Sequence, residues 1–167
     1  MHRTASWLAL ATVIVVIDQA TKYRVAQHFS AVGESVAITP FFNLVYVYNP
    51  GAAFSFLSDQ AGWQRWLFVG IALAASTWIV QLLRKHPHER LFSLALALVL
   101  AGAVGNVIDR MLFGAVIDFL DFHAYGRHWP AFNVADSVIT CGAALLVWDA
   151  VRPGRKGETG KVKEGGV

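Results

Sequence analysis

Two aspartates lie at the outer ends of apolar segments, where a carboxylate is costly to keep. Asp118 stands in the run Gly114-Ala-Val-Ile-Asp-Phe-Leu120, and Asp136 stands in Phe132-Asn-Val-Ala-Asp-Ser137. Carboxylates near a bilayer persist where they are paired, hydrated or used in chemistry. Two that lie close together can share one proton. The ionised member can then take a proton from an attacking water while the protonated member stabilises the oxyanion, which is aspartyl-protease chemistry.

The composition indicates that these aspartates belong to an integral membrane protein. Of the 167 residues, 56% are hydrophobic and 15% are charged, and the mean hydropathy is +0.48. A membrane-spanning helix needs about 20 mostly apolar residues. Four segments qualify, at residues 7–27, 62–83, 91–113 and 132–150. The predicted fold is all-α, a four-helix transmembrane bundle forming one domain over residues 1–167.

The basic residues predict how this bundle is oriented. Nine of the 14 Lys and Arg residues lie before the first segment, in the short loop 84–90 and in the tail 151–167, at Arg3, Arg84, Lys85, Arg90, Arg152, Arg155, Lys156, Lys161 and Lys163. The loop 28–61 contains no Lys or Arg, and the loop 114–131 contains only Arg127. By the positive-inside rule both termini face the cytoplasm and both longer loops face outward. The net charge of +3 reflects this asymmetry, so no nucleic-acid surface is inferred.

The first outer loop has structure of its own in this interpretation. Residues 35–39 and 42–48 are rich in β-branched and aromatic side chains, with Pro40 between them, and predict two short strands. Residues 52–57 predict a short interfacial helix. Together they would form a small extracytoplasmic β platform above the helices.

Further polar residues accompany the two aspartates, and each has a simpler structural explanation. Asn106, Asp109 and Arg110 share a helical face by their spacing. Arg110 would pair with a carboxylate, hold substrate carbonyls or merely staple two helices. Asn133 would orient the substrate or the aspartates, or cap the fourth helix. The aspartates themselves could be no more than helix caps or hydrated interfacial groups.

Other chemistries are less well supported by the pattern. Asp118, Asp121, His123 and His128 have no strong zinc-site spacing, and no Gly-x-Ser-x-Gly motif occurs. We therefore expect no metal and no cofactor. A proton relay through intramembrane acids, namely Asp18, Asp109, Asp118 and Asp136, is an alternative. These acids gather at one edge, however, and no inverted repeat is visible. A non-enzymatic assembly factor that uses the bundle and platform as a binding surface is a third hypothesis.

The order of the polar motifs resembles signal peptidase II, the bacterial lipoprotein signal peptidase. Five blocks match in order and spacing: Asp18-Gln-Ala-Thr-Lys22; Phe41-Phe-Asn-Leu44 with Asn49-Pro-Gly-Ala-Ala-Phe-Ser55; Gly105-Asn-Val-Ile-Asp-Arg110; Val116-Ile-Asp-Phe119; and Pro130-Ala-Phe-Asn-Val-Ala-Asp-Ser137. One block alone would be weak evidence, whereas five in register cover nearly the whole chain apart from its tail.

This resemblance implies a monomeric aspartyl endopeptidase of the bacterial inner membrane, with its active site near the outer face. Its substrates would be prolipoproteins whose cysteine already carries a diacylglyceryl group, cut just before that cysteine. Asp118 and Asp136 match the catalytic pair. The matched blocks that line the family's pocket contain Asn49, Gly51, Asn106, Asp109, Arg110 and Asn133. Globomycin-type cyclic peptides would be expected inhibitors, and membrane lipid an expected partner.

Overall fold

The computed structural model describes residues 2–51 and 63–152, which form four long helices and a small sheet. The helices are α1 (His2–His28), α2 (Trp63–Lys85), α3 (Arg90–Phe113) and α4 (Val134–Val151). The strands are β1 (Ser35–Thr39), β2 (Phe42–Asn49), β3 (Val116–Ala124) and β4 (Arg127–His128). Each helix is long and apolar enough to cross a membrane. The predicted four-helix membrane architecture is confirmed.

Helix α3 is the central element of the bundle, because α1, α2 and α4 all pack against it. Small residues permit this close approach. A Cβ atom on Gly102 would collide with the carbonyl oxygen of Ala135 in α4, and one on Gly142 would lie 2.8 Å from the carbonyl oxygen of Ala95. The α3–α4 interface therefore depends on glycines in both helices.

The sheet forms the platform at one end of the bundle, with antiparallel strands in the order β1-β2-β3-β4. The two strands predicted in the first outer loop are present. The interfacial helix predicted at residues 52–57 lies outside the described residues. Strands β3 and β4 are joined by a tight turn in which Tyr125 and Gly126 both have positive φ, as a type I′ hairpin requires.

Strand β3 lies where the sequence predicted only an outer loop, at residues 114–131, with Asp118 at the end of an apolar segment. Helix α3 ends at Gly114, which adopts the left-handed conformation with φ 81°, and the chain then continues as a strand from Val116. Asp118 therefore lies on a strand, opposite Val47 of β2, and not at a helix end. The first four residues of this strand are all buried, so they lack the alternation by which a half-exposed strand is detected.

Candidate active site

Asp118 is held in the middle of the platform by two asparagine amides. Its carboxylate is 1% exposed. Asn49, at the end of β2, donates from Nδ2 to Oδ2 at 2.8 Å. Asn133 donates from Nδ2 to Oδ1 at 2.7 Å. Each carboxylate oxygen thus has an N–H donor, which offsets part of the cost of burying it.

Asp136 sits in the first turn of α4, where Asn133 is the N-cap. The two residues form a capping box, in which the backbone N–H of Asp136 donates to Asn133 Oδ1 at 2.9 Å and that of Asn133 donates to Asp136 Oδ2 at 3.3 Å. Asn106 of α3 donates from Nδ2 to Asp136 Oδ1 at 2.8 Å. Asn133 is therefore the cap of α4, one of the explanations left open by the sequence, and its side chain also contacts both aspartates.

The orientation of both asparagine amides is fixed by partners that can only donate. Asn133 Oδ1 accepts from a backbone N–H, so its amino group must face Asp118. Asn106 Oδ1 accepts from the ammonium of Lys22 at 3.1 Å, so its amino group must face Asp136. A flipped amide would place oxygen against oxygen and nitrogen against nitrogen. The geometry therefore presents an N–H donor to each carboxylate.

Behind the asparagines, Lys22 forms a buried ion cluster with two further carboxylates. Its ammonium lies 2.8 Å from Asp18 Oδ2 and 2.9 Å from Asp109 Oδ2, and all three side chains are at most 2% exposed. Asp18 Oδ1 accepts from the backbone N–H of Ala135 at 2.8 Å. Asp109 Oδ2 accepts from that of Ile117 at 3.0 Å. The cluster thus fixes the backbone one residue before each of the two aspartates, Asp118 and Asp136.

Arg110 and Gly51 lie beside this network. Among the described residues Arg110 makes no ion pair, in contrast to the helix-stapling salt bridge considered from sequence. Its guanidinium carbon lies 5.1 Å from the centre of the Phe68 ring, a cation–π distance. Gly51 has φ 116°, and a Cβ there would lie 2.7 Å from the same ring. Its backbone N–H donates to Asn49 Oδ1 at 2.9 Å, so the turn at Gly51 also supports Asn49.

Known proteins are similar to this chain in sequence and in fold. A model of the family described as Signal peptidase (SPase) II matches residues 10–152. Proteins named lipoprotein signal peptidase are 58% identical in Paraburkholderia phymatum and 55% in Burkholderia mallei, each over 89% of both chains. The chain belongs to the signal peptidase II family.

Solved structures agree with this family assignment. A bacterial membrane enzyme solved by the in meso method is 32% identical, with a TM-score of 0.78 over 89% of this chain and 94% of that chain. A second structure with the same description has a TM-score of 0.76 over 98% and 94%. The family makes the chain a protease that removes signal peptides from prolipoproteins, as the motifs implied.

The environment of Asp118 prepares it to hold a proton near neutral pH. Burial raises the pKa of its carboxyl from 3.8 to about 6. The amides of Asn49 and Asn133 and the charge of Lys22 oppose this rise, whereas the negative charge of Asp136 adds to it. The two carboxyl groups are therefore electrostatically coupled, and such coupling is what allows two carboxyl groups to share a proton.

The four residues considered for a metal site, Asp118, Asp121, His123 and His128, belong to two separate sets of contacts in the structure. Asp121 accepts from Asn43 Nδ2 at 2.7 Å and lies 2.9 Å from His128 Nδ1, and the ring of His128 stacks on that of His123. Within residues 2–51 and 63–152, no three such side chains group as metal ligands would. Asp118 belongs to the asparagine network instead.

Sequence reasoning identified only part of the contribution of the first helix to the site. The spacing of Asp18 and Lys22 predicts a helical ion pair of the scaffold, and that pair is present. The contacts of this pair with other elements and the role of Gln19 gave no such signal. In the structure Gln19 Nε2 donates to the carbonyl oxygen of Gly105 at 3.1 Å and to Asp109 Oδ1 at 2.9 Å. The block Asp18-Gln-Ala-Thr-Lys22 of the signal peptidase II pattern was the only available clue. Asp109, assigned from the motif to substrate binding, is 1% exposed and contacts protein groups.

The two carboxylates of β3 should affect stability with opposite pH dependence. The pKa of Asp118 lies above its ordinary value, so ionising it costs folding free energy, about 3 kcal/mol once the pH exceeds 6. Burial raises the pKa of Asp121 too, but hydrogen bonds from Asn43 and His128 outweigh it and hold that pKa below its ordinary value. We predict that raising the pH from 4.5 to 8 favours Asp118→Asn relative to the wild type, whereas Asp121→Asn is disfavoured as the pH rises through the range below about 4, where that carboxyl ionises.

Thermal unfolding of the three proteins in one detergent from about pH 3 to about pH 8 is the measurement, so that both carboxyl groups titrate within the range. The relevant quantity is the difference in Tm between each variant and the wild type, which removes titrations common to all. A difference that changes in the same direction for both variants would contradict the assigned environments.

Proposed function

We propose that this chain is an aspartyl endopeptidase that cleaves prolipoproteins just before their diacylglyceryl-modified cysteine. Membership of the signal peptidase II family supplies the substrate class. The observation that supports the catalytic type is the bridge through Asn133, which contacts Asp118 and Asp136 at once. Water and two carboxylates suffice for the reaction, so no metal or cofactor is required.

In the proposed mechanism the two carboxyl groups alternate as acid and base. In the singly protonated pair the proton resides on Asp118, because burial and the charge of Asp136 favour its neutral form. Ionised Asp136 takes a proton from water as the water attacks the peptide carbonyl, and Asp118 stabilises the developing oxyanion with its O–H. The tetrahedral intermediate then collapses, and the proton now on Asp136 passes to the leaving amine.

The remaining polar residues divide into substrate-binding and positioning groups in this proposal. Asn49, Gly51 and Arg110 lie on the less buried side of the network and are proposed to contact the substrate backbone. Asn106, Asp109 and Asn133 are buried and fully engaged with protein groups. We therefore assign these three to holding the aspartates, while their sequence blocks remain those of the family's pocket.

The position of the site in the bundle suits a lipid-anchored substrate. Asp136 lies at the start of α4 and Asp118 follows the end of α3, so both are at the same end of two antiparallel helices. A substrate whose acyl chains remain in the bilayer presents its cut site at such an interface. From the basic residues at the opposite end we propose that this is the outer face of the inner membrane, with both termini cytoplasmic.

The partner expectations and the alternative functions follow from the same geometry. Globomycin-type peptides are expected to compete for the site, and the chain is expected to act as a monomer. A proton relay would need acids free to titrate in sequence along a path. Asp18 and Asp109 are instead both paired with Lys22, which favours a fixed catalytic site over a relay.

Replacing the carboxyl group of either aspartate by an amide should strongly impair cleavage while preserving the fold. We predict that Asp118→Asn and Asp136→Asn each lower kcat/KM for a lipidated precursor in detergent by about 10²–10⁴-fold, the usual contribution of a general acid or base. Asp121→Asn is the matched control, since it changes a buried carboxylate of the same strand outside the proposed pair. Turnover by either of the first two variants within tenfold of the wild type would contradict the proposal.

Two asparagines of β2 provide a second matched comparison. Asn49 donates to Asp118 and Asn43 donates to Asp121, at 2.8 and 2.7 Å. Because the Asn49 amide lowers the pKa of Asp118, Asn49→Ala should lower kcat/KM about tenfold or more and move the alkaline limb of its pH profile upward, since Asp118 must be protonated in the proposed mechanism. Asn43→Ala should do neither. Measured pH profiles that change equally in both variants would show that Asn49 acts only through general stability.

A further inference from the structure

A cavity lies between α1 and α2, on a side of the bundle that the proposed reaction does not use. These two helices barely touch, although both pack against α3. The space between them is a groove of about 650 Å³, within the range of small-molecule sites of about 300–1,000 Å³. We call it the α1–α2 groove; its walls are Leu8, Ala11, Thr12 and Val15 of α1, Ser76, Thr77, Val80, Gln81 and Arg84 of α2, and Leu100, Ala101 and Val104 of α3.

The dimensions and lining of the α1–α2 groove fit a hydrocarbon chain. From Ser76 to Arg84 it runs along about 12 Å of helix, close to half of a hydrocarbon core of about 30 Å and hence one leaflet. The hydroxyls of Thr12 and Thr77 are occupied by carbonyl oxygens of their own helices, at 3.0 and 2.8 Å. These side chains therefore present mainly their methyl groups to a ligand.

Arg84 supplies a positive charge at the end of the groove nearest the chain termini. It is exposed, and among the described residues its guanidinium has no hydrogen bond or ion pair. The acids at this end are already engaged, Glu89 with His86 and Asp149 with Arg152. Lys85 adds a second positive charge beside Arg84. Basic groups at the mouth of a cleft between membrane helices bind anionic lipid headgroups.

The groove is poorly placed to receive the substrate of the peptidase. Helix residues advance by about 100° each, so the groove-lining residues of α3, Leu100, Ala101 and Val104, face roughly opposite to Asn106, Asp109 and Arg110. Helix α3 therefore stands between the groove and the aspartates. A signal peptide also carries a basic segment at its cytoplasmic end, which Arg84 and Lys85 would repel.

We propose that the α1–α2 groove binds an acyl chain of an anionic phospholipid. The lipid would come from the leaflet on the same side of the membrane as the protein's two termini, and its phosphate would contact Arg84. The site is independent of the proposed catalytic mechanism. The bound acyl chain would fill the gap between α1 and α2. This gap borders α3, the helix that carries Asn106 and Asp109. Its occupancy is therefore expected to stabilise the bundle without taking part in the reaction.

The charge contact is tested by titrating the detergent-purified full chain with phosphatidylglycerol and measuring bound lipid by native mass spectrometry. We expect Arg84→Gln to bind about fivefold more weakly than the wild type, the usual contribution of one cation at a lipid surface. Lys85→Gln is the matched control and should lose less, because Lys85 does not line the groove. Equal binding by the wild type and Arg84→Gln, or equal losses in the two variants, would overturn the proposal.

The contact between the groove and the acyl chain is tested separately by a substitution that fills the groove. Thr12→Phe, at an exposed position of α1, should weaken phosphatidylglycerol binding while leaving KM for a lipidated precursor unchanged. Phosphatidylcholine should bind the wild type more weakly than phosphatidylglycerol and should be insensitive to Arg84→Gln. The assignment would be overturned if Thr12→Phe bound phosphatidylglycerol as well as the wild type does, or if the wild type bound the two lipids equally. A raised KM in Thr12→Phe would also overturn it, because the substrate would then be the occupant of the groove.

Discussion

The ammonium group of Lys22 is the interaction on which the site depends. Buried in a membrane protein, it makes close contacts with three acceptors, the carboxylates of Asp18 and Asp109 and the amide oxygen of Asn106. Removing one partner of such a cluster costs about 3–5 kcal/mol, because a charge is left uncompensated. The cluster joins α1 to α3 and, through the backbone amides of Ile117 and Ala135, also sets where β3 and α4 begin.

The contact between Lys22 and Asn106 also determines the orientation of the amide groups in the polar network. Because Lys22 can only donate, Asn106 must turn its amino group to Asp136, and the capping box likewise turns Asn133 toward Asp118. The proposed catalytic carboxylates therefore lie in a prearranged set of donors, which suits a site that must stabilise changing charge. The raised pKa of Asp118 means that the fold gives up stability at neutral pH for a group that can carry a proton.

The sequence predicted the parts of this structure that depend on local patterns. Apolar length identified the four helices, and β-branched residues beside Pro40 identified β1 and β2. Strand β3 was missed because Asp118 and Asp121 interrupt an already short apolar run, and only pairing with β2 makes that run a strand. The spacing of Asp18 and Lys22 predicted their ion pair, but not that it is buried or that Lys22 also contacts Asp109 and Asn106. The pair has the same spacing whether exposed or buried, and Asp109 lies about half of the chain away in sequence.

The most direct test of this account is an experimental structure at a resolution that shows ordered water between Asp118 and Asp136. We predict one water within hydrogen-bonding distance, about 2.6–3.2 Å, of a carboxylate oxygen from each residue. The amino groups of Asn106 and Asn133 should still face the aspartates, and Lys22 should still contact Asn106. Carboxylates that share no water, or an Asn106 amide turned the other way, would contradict the central claim that Lys22 prepares a single two-aspartate site.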